Sequence, residues 1–115
     1  MNTFKIQVEE IPPSGIVRIV LDGYLDAHNY EKLEAVFEKH FGLGHHRYIV
    51  DLTNLEYISS AGAGVFIGAA STCQDNGGNI VLVGPTAEVQ EIFELLGVYQ
   101  IFTVVKEPAQ ALGQF

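Results

Sequence analysis

The sequence predicts an α/β domain, with a mixed, mostly parallel sheet of about five strands packed with about four helices. Two observations carry this expectation. Strand-like apolar runs alternate along the chain with segments of helical periodicity, and such alternation implies right-handed crossovers between parallel strands. The first two strand-like runs are instead joined only through Pro12-Pro-Ser-Gly15, a connection too short for a crossover, so they pair as an antiparallel hairpin at the edge.

Each element has its own signal. Phe4-Lys-Ile-Gln-Val-Glu9 alternates apolar and polar residues, as a strand with one buried face does. Ile16-Val-Arg-Ile-Val-Leu21 is a nearly continuous β-branched run and predicts a more buried second strand. A first helix is expected from Asp26, whose side chain suits capping, with Tyr30, Leu33, Phe37 and Phe41 as its core stripe. Glu31, Glu34, Glu38 and Lys39 lie off that stripe, and Gly42 and Gly44 end the helix. Tyr48-Ile-Val-Asp-Leu52 predicts the third strand, with Asp51 at its end.

Ser60 to Gln74 reads as a second helix, Asn79 to Val83 as a fourth strand, and Thr86 to Leu96 as a third helix that buries Val89, Ile92, Phe93 and Leu96. A fifth strand is expected over Ile101 to Val105 and a short terminal helix near Pro108. No repeat, linker or low-complexity tract divides the 115 residues, so one domain is expected over 1–115.

Composition narrows the function classes. An apolar share of 48% argues against disorder, and no run approaches the roughly 18 apolar residues of a membrane span. The N-terminus lacks the layout of a signal peptide, and the lone Cys73 suits a reducing compartment. A soluble, cytoplasmic protein without membrane insertion is expected. Fourteen acidic residues against six scattered basic ones give a net charge of −8, which repels a nucleic-acid backbone. No nucleic-acid partner is expected.

The candidate site is the stretch from Asp51 to Gly64. In open α/β sheets, sites gather beyond the carboxyl ends of the strands, where Gly23–Asp26 and Asn54–Ser60 are expected to meet as loops. Ser59 and Ser60 open a helix that then spends glycine at 62, 64 and 68. Each helical glycine costs roughly 1 kcal/mol relative to alanine, so these admit either a partner's backbone or tight helix-to-sheet packing. Ser60 read alone is an N-cap. The same exposed helix start also accommodates a phosphate. Such a phosphate carries about −1.5 to −2 charges at pH 7. Asp26, Asp51 and Glu56 are its expected acidic neighbours. At ~8 Å and an effective dielectric of 20, each unit-charge pair costs about 2 kcal/mol.

These residues resemble the STAS domain family, as found in bacterial anti-sigma factor antagonists. Asp51-Leu-Thr-Asn-Leu-Glu-Tyr-Ile-Ser-Ser-Ala-Gly-Ala-Gly-Val65 is similar to its signature of a strand ending in Asp-Leu, a variable turn, then Asp-Ser-Ser/Thr-Gly-Leu-Gly. Leu21-Asp-Gly-Tyr-Leu-Asp26 resembles the family's Gly-x-Leu-Asp before the first helix. Gly77-Gly78, Ile92-Phe-Glu-Leu-Leu-Gly97 and Ile101-Phe102 extend the match in family order, from about Phe4 to Glu107.

The resemblance implies a STAS-like fold and an anti-sigma factor antagonist working by partner switching. It implies an anti-sigma factor that is often itself the serine kinase, and a phosphatase, as partners. Ser60 matches the serine that is phosphorylated, Asp26 an acidic residue near it, and Gly62 and Gly64 the glycines of the switch helix. The binding face implied is Asp26, Asn54, Ser59, Ser60, Gly62 and Gly64. Ser59 departs from the family's usual Asp, Ala61 from a second Ser or Thr, and Ala63 from Leu; Ser59 is thereby an alternative acceptor.

Other readings are a constitutive STAS scaffold or transporter-associated subunit, and a receiver domain. The last would make Asp51 the phospho-acceptor, Glu9 and Glu10 metal ligands, and Lys106 the phosphate's lysine, but a second strand follows Pro12-Pro13 where a receiver needs a helix. His28, His40, His45 and His46 lack metal-site spacing, and His45-His46 is expected in a solvated loop. Gly62-x-Gly64 lacks the rest of a nucleotide loop, and Cys73 reads as a buried helix residue. No nucleophile–base–orienter set can be assembled. Neither a cofactor nor enzymatic activity is expected.

Overall fold

The computed structural model describes residues 3–97 and 99–115. Strands β1 (Phe4–Ile11) and β2 (Ile16–Leu25) form the expected hairpin, closed where Ile11 pairs with Ile16. The Ser14 hydroxyl donates to the Ile11 carbonyl at 2.6 Å and accepts the Ile16 amide at 3.2 Å, which fixes the turn. Then follow α1 (Tyr30–Gly42), β3 (Arg47–Ile58), α2 (Ser60–Asp75), β4 (Asn79–Val83), α3 (Ala87–Leu95), β5 (Thr103–Val105) and α4 (Pro108–Ala111). The sheet order is β1-β2-β3-β4-β5, antiparallel only at the first pair. That is the mixed sheet the sequence predicts.

Strand alternation divides the core. Val17, Ile19 and Leu21 of β2 and Tyr48, Val50 and Leu52 of β3 point into the main cluster, together with Leu33 and Phe37 of α1, Phe66 of α2 and Phe93 of α3. Ile16, Ile49, Val81 and Val83 point the other way, onto Ala111 of α4. Three helices therefore cover one face, and the short α4 touches the other. Phe66 locks α2 in place. Its ring meets Phe37, Phe93 and Phe102 edge-on at centroid distances of 6.3, 5.9 and 6.3 Å. Each such pair adds about 0.5–1.5 kcal/mol to the area it buries.

Several boundaries differ from expectation. β3 does not stop at Leu52 but runs on to Ile58, so Asp51 lies in mid-strand and Asn54 is not in a loop. The extension is bulged. Val20 and Asp22 pair with Asp51 and Asn54, and Gly23 and Tyr24 with Leu55 and Tyr57, so β3 takes an extra residue at each place. Leu52, Leu55 and Ile58, three residues apart, thus all face the main core, each fully buried. β2 likewise continues through Gly23, at φ 91°, where a Cβ would collide with the Thr3 carbonyl.

Helix α1 starts at Tyr30 rather than Asp26, and Leu96, expected in the core, caps the end of α3 at 42% exposure. β5 begins only at Thr103, because a 3-10 turn over Tyr99–Ile101 precedes it. His45 and His46 are half-buried rather than solvated. The receiver reading also fails here. Asp51 points at Arg18 (3.7 Å) from the middle of a strand, and Glu9 lies on the antiparallel edge strand, 3.9 Å from the same guanidinium.

Candidate functional site

The site begins where two parallel strands end together. Leu25 pairs with Ile58, and the Ser59 amide donates to the Leu25 carbonyl at 2.9 Å. Ser59 keeps the extended backbone of the strand it leaves (φ −89°, ψ 172°), and its Oγ accepts the Gly62 amide at 3.2 Å. Its carbonyl accepts the Ala63 amide at 2.9 Å, the first bond of α2. The N-cap is therefore Ser59 and not Ser60, since a cap needs the extended conformation that Ser60 has already given up. Ser60 is the first helical residue and is exposed. Helix geometry leaves the amides of Ser60 and Ala61 without partners inside the helix.

Asp26 directly follows Leu25 and so adjoins this helix start. It closes a turn instead of capping a helix. Its Oδ1 accepts the His28 amide at 2.9 Å, its carbonyl accepts the Tyr30 amide at 3.0 Å, and its own amide donates to Asn29 Oδ1 at 2.9 Å. Asn29 Nδ2 in turn donates to the Tyr24 carbonyl at 2.8 Å. Of the three acidic neighbours expected for a phosphate, only Asp26 follows directly on the Leu25–Ile58 pair. Asp51 lies seven residues back along β3, and Glu56 projects from the strand into solvent. Asn54 pairs with Asp22, four residues before Ile58 or about 13 Å along the strand, and does not belong to the Ser60 cluster.

The three glycines of α2 have different surroundings. Gly62 is buried, and a Cβ there would come within 2.8 Å of Leu25 Cγ and 3.1 Å of Ile58 Cγ1. It lets the helix seat on the strand ends and presents nothing to a partner. Gly64 and Gly68 are exposed, with nothing within 4 Å of a built Cβ. Only these two form open surface.

A family model described as STAS domain matches residues 5–111. The chain belongs to the STAS domain family. It is 32% identical over 111 residues to BtrV of Bordetella bronchiseptica, a candidate anti-sigma factor antagonist, covering 96% of this chain and 94% of that one. The anti-sigma factor antagonist SpoIIAA, solved in its unphosphorylated form, superposes with a TM-score of 0.82 at 22% identity, over 96% of this chain and 95% of that one. The Bacillus cell fate determinant SpoIIAA in its phosphorylated form gives 0.75 at 22%, over 96% and 98%.

In a STAS domain, the departure at position 59 now has a physical reading. Asp and Ser both accept an amide hydrogen bond at an N-cap and rank alike there, so Ser59 preserves the helix start. The Ser60 hydroxyl makes no hydrogen bond among the described residues, and no histidine or carboxylate bonds either serine's side chain. Among the described residues, no side chain bonds the Ser60 hydroxyl to take its proton.

Other sequence candidates fall elsewhere. Cys73 is fully buried, and burial pushes its thiol up to about 12. Among the described residues, no group of three or more His, Cys, Asp or Glu could hold a metal ion. None of the helices described is long and apolar enough to cross a membrane. One feature escaped sequence reasoning. Tyr57, beside Tyr24 at 6.1 Å, joins Ile92, Leu95, Glu88 and Glu91 around a shallow cleft of about 270 Å³, and Leu95 is 76% exposed. The only available signal was Tyr57 itself, and it depended on knowing that β3 continues past Leu52.

Proposed function

We propose that this STAS domain is an anti-sigma factor antagonist in a partner-switching pathway, and that phosphorylation of Ser60 controls its binding to the anti-sigma factor. The observation that carries this reading is the division between the two serines. Ser59 spends its side chain on the cap, and Ser60 presents a free hydroxyl beside unpaired helix amides. Ser59 is the poorer acceptor because modifying its Oγ would break the cap.

In this reading the anti-sigma factor, or an associated serine kinase, transfers the γ-phosphoryl of its own ATP. The P–Oγ bond to Ser60 forms as the bond to the β-phosphate oxygen breaks, and the hydroxyl proton passes to the kinase's base. A phosphatase returns the serine with water, releasing inorganic phosphate. The added charge of about −1.5 to −2 lies near Asp26 and turns the partly positive helix start into an anionic one. The unphosphorylated form would hold the anti-sigma factor and free the sigma factor.

The relatives' names support the anti-sigma role. The two solved forms of SpoIIAA share this fold. Incubation with ATP, magnesium and the cognate kinase, followed by intact-mass spectrometry, tests the acceptor. One phosphoryl group is expected on the unsubstituted chain and none on Ser60→Ala; label retained in Ser60→Ala would sink it. A constitutive STAS scaffold would show neither labelling nor phosphorylation-dependent affinity.

A further inference from the structure

Helices α1 and α2 flank a groove of about 260 Å³ that opens to solvent. Its floor is the buried Phe37 of α1 and Val65 and Ala69 of α2, and its accessible apolar surface is the half-buried Phe41. Gly64, Gly68 and Thr72 follow Ser60 at intervals of four, so the groove continues the helix face on which Ser60 begins. The open space over both glycines lets a partner helix approach closer than the usual 8–10 Å between helix axes.

The charge of the groove is one-sided. Glu34 and Glu38 line it from α1, both exposed, and neither enters an ion pair among the described residues. No charged residue of α2 precedes Asp75, so no cation answers those carboxylates from the opposite wall. A second copy of this chain is a poor occupant. It would bring a net charge of −8 against −8, and a two-fold contact would set Glu34 and Glu38 against themselves.

We propose that the α1–α2 groove docks a basic amphipathic helix of the anti-sigma factor, with its Lys or Arg side chains on Glu34 and Glu38 and an apolar side chain against Phe41 and the open space over Gly64 and Gly68. This inference rests on the functional reading above. The helix runs antiparallel to α2, so that its negative C-terminal end meets the positive N-terminal end of α2 at Ser60. A phosphoryl group on Ser60 reverses the sign of that end-to-end contact, while the carboxylates further along remain attractive. The groove thereby supplies affinity and Ser60 supplies control.

Isothermal titration of the purified cognate anti-sigma factor into four forms tests this: the unsubstituted chain, Ser60→Glu, Gly68→Leu, and the double variant Glu34→Lys/Glu38→Lys. The Cβ of Gly68→Leu meets nothing within 4 Å, and circular dichroism confirms that each variant is folded. Gly68→Leu and the double charge reversal are each expected to weaken binding tenfold or more, and the charge reversal to flatten the salt dependence. If Ser60→Glu weakens binding while both groove variants bind like the unsubstituted chain, the groove is overturned and the functional reading stands. If the unsubstituted chain does not bind, the functional reading falls and this occupant falls with it. Self-association that Gly68→Leu abolishes would assign the groove to a second copy and overturn the proposal.

Discussion

Ser59 Oγ accepts the Gly62 amide at 3.2 Å, and this hydrogen bond separates the structural serine from the exposed one. The first prediction follows from it. Ser59→Ala leaves an amide of the first turn unsatisfied and is expected to cost about 1 kcal/mol in urea denaturation, within the usual 0.5–2 for a lost cap. Ser59→Asp should stay within a few tenths of a kcal/mol, and Ser60→Ala should be near neutral. A larger loss from Ser60→Ala than from Ser59→Ala would reverse the assignment.

The glycines of α2 should separate in the same assay. Gly64→Ala and Gly68→Ala meet nothing within 4 Å and remove a helix-interior glycine, so each should stabilise by roughly 0.5–1 kcal/mol. Gly62→Ala drives a methyl toward Leu25 and Ile58 and should destabilise, by about 1–3 kcal/mol as overpacking does. Equal effects at all three positions would contradict the packing.

His40 makes stability fall in mild acid. Its side chain is 8% exposed, and its Nδ1 lacks a hydrogen bond and lies 3.5 Å from Glu10 Oε1, the same oxygen that His45 Nε2 approaches at 3.3 Å. Burial lowers its pKa below the ordinary 6.5; Glu10 opposes that shift, and Lys39 and His45 add to it. Because the unfolded chain takes the proton first, the stability from neutral His40 is fully present above pH 6.5. It is lost as pH falls through the lowered folded value. An NMR titration of the His40 ring should give a midpoint below 6.5, lower still in Glu10→Gln; a midpoint at or above 6.5 would refute this.

Cys73 should be unreactive in the folded protein. With the thiol near 12, only about one molecule in ten thousand carries thiolate at pH 8, and the side chain is also buried. A chromogenic disulfide reagent should label it slowly in buffer and rapidly in denaturant. Equal rates would show that α2 opens freely.

Much of the fold was legible because the main signals are local. The hairpin follows from Pro12-Pro13, and the start and register of α2 and β4 follow from their apolar patterns. The end of β3 was not legible, because two bulges turn its alternation into the spacing of three seen at Leu52, Leu55 and Ile58. That single misreading displaced Asp51 and Asn54 and hid Tyr57. The start of α1 was missed because Asp26 satisfies its hydrogen bonds in a turn with His28 and Asn29, leaving Tyr30 to open the helix. At the site, two adjacent serines look alike in sequence. The extended backbone of Ser59 and its hydrogen bond from the Gly62 amide show which one caps.

The most direct test of the central claim is the affinity of the anti-sigma factor for the two forms of this chain. Stoichiometrically phosphorylated and unmodified protein would be titrated side by side, with Ser60→Ala carried through the same kinase treatment. At least tenfold weaker binding of the phosphorylated form, with Ser60→Ala binding as the unmodified chain does, is the predicted result. Equal affinity for both forms would contradict it.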